Sequence, residues 1–93
     1  MADEELLRKL SSLGVDIEAL RRVWNDAAEL LAAFDAIGRV CSTALVKVDG
    51  ERSKNVYTVL LSGGRLGKRV FRKDGDDLPG MLREAIVFFV APE

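Results

Sequence analysis

The chain has 93 residues, 14 Lys and Arg, 15 Asp and Glu, a formal net charge of -1, and 48% apolar residues. This size and composition indicate a single domain over residues 1–93 and exclude a disordered chain. The absence of histidine removes the commonest general base and zinc ligand, and one cysteine excludes an internal disulfide or a cysteine metal cluster. We therefore expect no enzymatic activity, no metal and no cofactor.

The acidic N-terminus has no apolar segment of the kind that directs secretion. No apolar run approaches the roughly 20 residues that span a bilayer. We therefore expect a protein of the reducing cytoplasm with no membrane partner. In that compartment Cys41 is expected to be a small buried apolar side chain.

The first 38 residues predict two helices. A leucine stripe over residues 3–13 ends at Gly14, a residue suited to the end of a helix. Asp16 is the expected N-cap of a second, long helix that ends near Gly38. Its apolar stripe has alternating spacings of three and four residues and comprises Ile17, Leu20, Trp24, Ala27, Leu31 and Phe34. We expect Trp24, Leu31 and Phe34 to make most of its contact with a sheet.

The middle of the chain predicts three strands, over residues 40–48, 54–62 and 68–73. Asp49-Gly50 marks the first turn, and a glycine-rich segment over residues 62–67 reads as a flexible hairpin loop. If the first loop spans about five residues, Leu45 faces Tyr57, Thr43 faces Val59 and Cys41 faces Leu61. That register would give one apolar face.

The last segment predicts a helix that starts at Asp76 or Asp77, after a turn at Asp74-Gly75. Residues 86–90 could instead form a closing strand, because they are β-branched and aromatic. The element order is then α-α-β-β-β-α. It predicts an α+β fold of two layers, a three-stranded antiparallel sheet covered on one face by helices.

Two motifs resemble ligand-binding loops but fail on spacing. The glycine-rich segment has Ser62 where a phosphate-binding loop needs its first glycine, and Arg69 where it needs Ser or Thr. The acidic turn has Leu78 and Pro79 where a calcium loop needs an oxygen ligand and a glycine. We therefore interpret the first as a turn and the second as a turn with a helix cap.

The charges are distributed unevenly along the chain. Residues 38–73 contain 9 basic and 2 acidic residues, whereas both flanking segments are acidic. These bases either protect an edge strand from pairing or form a surface for an acidic protein or a phosphate backbone. The candidate partner-binding residues are Arg65, Lys68, Arg69, Arg72 and Lys73. A protein partner is favoured over nucleic acid, because the net charge is negative and the aromatic residues are needed in the core.

Val87, Phe88 and Val90 are apolar positions beyond those that one helix face requires. They are possible contacts in a homodimer, or they fold against the sheet. Both interpretations stay open.

Tyr57-Thr58-Val59-Leu60-Leu61-Ser62-Gly63-Gly64 and Phe71-Arg72-Lys73-Asp74-Gly75-Asp76-Asp77-Leu78 look like stretches of small bacterial proteins. In size, charge and element order the whole chain resembles compact α+β inhibitors, namely anti-CRISPR and toxin-immunity proteins. The resemblance implies a non-catalytic binding module, a stoichiometric inhibitor of a larger protein or nucleoprotein complex. The alternatives are a nucleic-acid-binding accessory protein that uses the basic third strand, and a structural homo-oligomer.

Overall fold

The secondary structure follows the predicted order α-α-β-β-β-α. The structure, a computed structural model, describes residues 4–91, and their side chains except those of residues 23–26. Its elements are α1 (Glu4–Ser12), α2 (Ile17–Gly38), β1 (Thr43–Val48), β2 (Tyr57–Ser62), a 3-10 turn (Gly64–Leu66), β3 (Val70–Gly75) and α3 (Leu78–Val90). The α+β class with a three-stranded antiparallel sheet is confirmed.

Both long helices begin at an aspartate cap. Asp16 accepts a hydrogen bond from the Ala19 N–H at 3.1 Å, and Asp77 accepts one from the Gly80 N–H at 3.1 Å. The other predicted cap, Asp76, instead accepts from the Val56 N–H. Because α3 continues to Val90, residues 86–90 do not form a closing strand. None of the described helices is long and apolar enough to cross a bilayer.

The sheet has the order β1-β2-β3, with β2 in the centre. The helices α2 and α3 pack against each other and cover one face of the sheet, α2 over β1 and α3 over β2 and β3. The core between the two layers is apolar, because the helix-facing residues of the central strand are buried there. Its buried residues are Ala27, Phe34, Val59, Leu61, Leu66, Met81, Leu82 and Ala85.

The predicted register between the first two strands is wrong. Residues 49–56 connect β1 to β2, which is longer than the expected loop, and Val48 pairs with Tyr57. The shift is an odd number of residues, so it exchanges the two faces of β1. Ala44 and Val46 pack against the core, whereas Leu45, expected opposite Tyr57, lies opposite Leu60 on the uncovered face. The other expected pairs fail with it: Thr43 pairs with Ser62 instead of Val59, and Cys41, expected opposite Leu61, precedes the strand.

The buried face of α2 differs from the predicted stripe. Phe34 is 5% exposed, as expected, but Leu31 is 39% exposed. Leu30 and Ile37 pack against the core in its place. The reason is that α2 packs mainly against α3, so the buried face of α2 is directed toward the interface between the two helices. Trp24, the third residue expected to contact the sheet, lies outside the described side chains.

Candidate partner-binding surface

The glycine-rich connection between β2 and β3 is anchored to the chain segment before β1. Leu66 is buried at 2% exposure, and the Arg65 N–H donates to the Val40 carbonyl at 3.0 Å. Gly64 has φ +56°, and a Cβ there would lie 2.6 Å from the Val40 carbonyl oxygen. Only glycine fits this close approach. The interpretation of the loop as flexible is therefore wrong, and the side chains it carries have a fixed base.

Two of the predicted binding residues lie on this anchored connection. Arg65 is exposed on the 3-10 turn, and Lys68 is exposed just before β3. In the described part of the chain, no carboxylate lies within salt-bridge distance of either side chain. Both cations are therefore available to a partner.

Arg69 points toward the helices and stabilises the fold. Its guanidinium donates to the Phe88 carbonyl at 2.8 Å and to the Ala91 carbonyl at 3.5 Å. Its central carbon lies 4.5 Å from the centroid of the Phe88 ring. These carbonyls belong to the C-terminal end of α3, where a positive charge is favourable. Arg69 thus fastens α3 to the beginning of β3.

The last two predicted binding residues, Lys73 and Arg72, lie on opposite faces of β3. Lys73 faces α3, where its ammonium forms a salt bridge with the Glu84 carboxylate. Arg72 lies on the uncovered face, is exposed, and is 3.6 Å from Asp74 of the same strand. Successive residues of β3 therefore point to opposite faces of the sheet. This alternation leaves Arg65, Lys68 and Arg72 as the predicted cations that point away from the helices or stand free of carboxylates.

Asp74 joins β3 to the β1–β2 loop on the uncovered face. The Thr58 hydroxyl donates to its carboxylate, and Arg52 and Arg72 lie within 4.0 Å of it. This hydrogen bond, followed by the charges of Arg72, Arg52 and Lys47, holds the pKa of Asp74 below its ordinary value of 3.8 against the opposing effect of desolvation. A second carboxylate, that of Asp49, lies 3.2 Å from Arg52, so three cations and two carboxylates leave this cluster with one net positive charge.

The uncovered face carries three apolar residues, Leu45, Leu60 and Val70, of which Leu45 and Val70 are exposed. Arg72 lies opposite Leu60 on this face, and Lys47 lies opposite Thr58. We define the cationic surface as Arg65 and Lys68, on the connection before β3, together with Lys47, Arg52 and Arg72, around Asp74.

Sequence reasoning named Lys47 and Arg52 only as residues near the first hairpin. It could not place them beside Arg72, because that placement depends on the register, and the expected register was wrong. The length of the polar segment from Asp49 to Asn55 was the signal that could have indicated the longer loop.

The apolar residues near the end of α3 that were predicted as possible dimer contacts differ in their exposure. Val87 and Val90 are 59% and 70% exposed, so they remain available for self-association. Phe88 is half-buried, with its ring centroid 5.5 Å from that of Phe71 and its face against Arg69. It belongs to the contact between α3 and β3.

An open acidic cleft lies at the N-terminal end of α3, beside Asp74, Asp76 and Glu84. Backbone N–H groups of Asn55 and Val56 hold the pKa of Asp76 below its ordinary value of 3.8, so this carboxylate closes the hairpin loop. Within residues 4–91 no three acidic or cysteine side chains converge as metal ligands.

Comparisons of the chain with protein-family models, curated proteins and solved structures found no match.

Proposed function

We propose that the chain is a non-catalytic protein-binding module, which acts as a stoichiometric inhibitor of a larger protein or nucleoprotein complex. The anti-CRISPR and toxin-immunity proteins that it resembles are the models for this role. The observation that carries the proposal is the exposed pair Arg65 and Lys68, held on an anchored loop with no carboxylate in salt-bridge distance among the described residues. Because contacts already hold the loop backbone, binding has to order mainly the two side chains.

The apolar residues of the uncovered face support a protein partner. Exposed Leu45 and Val70 supply apolar area on the face that also carries Arg72 and Lys47. Such an arrangement suits a partner with an apolar contact region and an acidic rim, because charges steer the encounter and apolar contacts hold the complex. Among the residues assigned to this face none is aromatic, so it lacks the side chains on which nucleic-acid bases stack.

Charge reversal tests the proposal. Arg65→Glu with Lys68→Glu changes the cationic surface, and Arg22→Glu with Arg83→Glu, two exposed arginines of α2 and α3, gives the same change in net charge elsewhere. Tagged chains are used to isolate partners from nuclease-treated lysate of the source cells. We expect one partner in a fixed molar ratio, retained by the control pair and reduced at least about tenfold by the Arg65/Lys68 pair.

Two outcomes would overturn the proposal. Equal retention of the partner by both variants would remove the cationic surface as the binding site. Binding to DNA or RNA in a gel shift with purified chain, lost with Arg65 and Lys68, would favour the nucleic-acid-binding alternative.

A homo-oligomer is the second candidate function, because Val87 and Val90 are exposed on one end of α3. Light scattering of the parent chain and of Val87→Asp with Val90→Asp tests it. A mass above that of the monomer, reduced to the monomer mass in the variant, would support an oligomer. Monomer mass for both would exclude this contact. Phe88 is unsuitable for this test, since it packs inside the fold.

A further inference from the structure

The outer edge of β1 carries unpaired backbone groups. The Asp49 N–H donates to the Val56 carbonyl at 2.7 Å, so in this register the odd-numbered residues of β1 bond to β2. Ala44, Val46 and Val48 therefore direct their N–H and C=O groups away from β2. Since β1 is at the end of the sheet order, these groups form an open hydrogen-bonding edge.

A groove runs along this edge between α2 and β1. It has a volume of about 580 Å³ and is open to solvent. Its lining is mostly apolar or small, and its residues are Leu31, Phe34, Asp35, Gly38, Arg39, Ser42, Thr43, Ala44 and Val46. No β2 residue lines it, so the groove lies outside β1. The exposed face of Leu31 belongs to this space.

The widths of the two layers explain the groove. Packed helices lie about 10 Å apart, whereas neighbouring strands lie about 4.8 Å apart. Because α3 covers β2 and β3 and packs against α2, α2 lies over the edge strand β1. Two helices cover the width of about four strands, and the sheet has three. The groove between α2 and β1 therefore has the position of a fourth strand.

We propose that the β1 edge and the groove beside it bind an extended segment of a partner protein as a fourth strand of the sheet. Its backbone would bond to Ala44 and Val46, and every second side chain, small or apolar, would enter the groove. Lys47 is exposed on the uncovered face of β1, so its ammonium group favours an acidic residue at a position of the segment that points to this face. Within the groove the charges of Asp35 and Arg39 are paired with each other.

A second copy of this chain does not fit the site. Antiparallel pairing of two β1 strands about a twofold axis would place both helix layers on the same face of the joined sheet. Each α2 lies over its own β1, so the two α2 axes would be about 4.8 Å apart, the spacing of neighbouring strands, instead of the roughly 8–10 Å that packed helices need. An extended segment without a helix above it meets no such overlap.

Peptide selection tests the proposal with a random library of about ten-residue peptides, presented to the full chain. We expect selected peptides to alternate apolar with acidic or polar residues. Val46→Pro, which removes an outward N–H of β1 and no bond to β2, should weaken their binding at least about tenfold. Val70→Pro is the matched control, because the N–H of Val70 points outward at the β3 edge.

A change in the peptide keeps the test independent of the variants' folding. In a peptide bound as a strand, every second backbone N–H points toward β1. Methylating these nitrogens should weaken binding at least about tenfold, whereas methylating the alternate nitrogens should weaken it much less. The absence of selected peptides, equal effects of the two sets of methylated nitrogens, or equal effects of the two proline variants would each overturn the proposal. The strand site shares Lys47 with the cationic surface but includes neither Arg65 nor Lys68, so the chain with Arg65→Glu and Lys68→Glu should still bind a selected peptide. That variant therefore separates a failure here from a failure of the proposed function.

Discussion

The strands β1 and β3 are the two edges of one sheet and each has six residues, yet they present different chemistry. In β1 the only charged residue is Lys47, and its helix side faces an open groove. In β3 half of the residues are charged, and its helix side is tied to α3 through Lys73. Because charged edge strands resist pairing with another strand and apolar ones favour it, the β3 edge is protected and the β1 edge is open.

The basic cluster therefore has two roles that the sequence could not separate. Arg69 and Lys73 fasten β3 to α3, whereas Arg65, Lys68 and Arg72 remain on the outside. Two of the five predicted binding residues thus tie β3 to α3, and the interpretation as a binding surface stays a prediction for the other three.

The largest expected effect compares one leucine near each edge strand. Leu66→Ala removes a buried side chain that anchors the loop before β3, and should lower the free energy of unfolding by about 2–5 kcal/mol. Leu45→Ala on β1, where the side chain is 43% exposed, should lower it by no more than about 1 kcal/mol. Denaturant unfolding measures both. Equal losses would contradict the contrast between an anchored loop and an open edge.

The next effect separates the two faces of β3. Arg69→Ala removes two hydrogen bonds to carbonyls at the end of α3 and a contact with the Phe88 ring. It should reduce stability by about 1–3 kcal/mol. Arg72→Ala, at an exposed site, should change stability by less than about 0.5 kcal/mol. If Arg69→Ala left the midpoint of thermal unfolding unchanged, Arg69 would not stabilise the fold and would instead count among the cations available to a partner.

A smaller effect concerns the tie between β3 and α3. A double-mutant cycle of Lys73→Ala and Glu84→Ala should give a coupling of about 0.2–1 kcal/mol, because both side chains are partly exposed. The same cycle with Lys68 in place of Lys73 should give none. Coupling in the second cycle would show that Lys68 is not available to a partner.

The smallest effect is a pH dependence on the uncovered face. The pKa of Asp74 is lower in the folded chain than its ordinary value of 3.8. Its contribution to stability is therefore present above pH 3.8 and is lost as the pH falls through the folded-state pKa. Asp74→Asn should flatten the dependence of the free energy of unfolding on pH in this acidic range. An unchanged pH profile for Asp74→Asn would contradict the cluster.

The fold was predictable because its signals are local. Asp16 before an amphipathic run and Gly38 after it define α2, and alternating residues define the strands. The register was not predictable, since it depends on a loop whose length is set by distant contacts such as the Val56 N–H to Asp76. The candidate site depended on that register. The cluster of cations was visible in the sequence, but the contact of Arg69 with α3 and the position of α2 over β1 were not.

The most direct test of the contrast between the edges is a map of backbone amide chemical shifts as the full chain is titrated with a peptide selected as above. We expect the largest changes along β1 and the facing turns of α2, at Ala44, Val46 and Leu31, with the outward N–H groups of β1 becoming protected from exchange. Changes centred on β3, at Val70, Arg72 and Asp74, or spread evenly over both edges, would contradict the account.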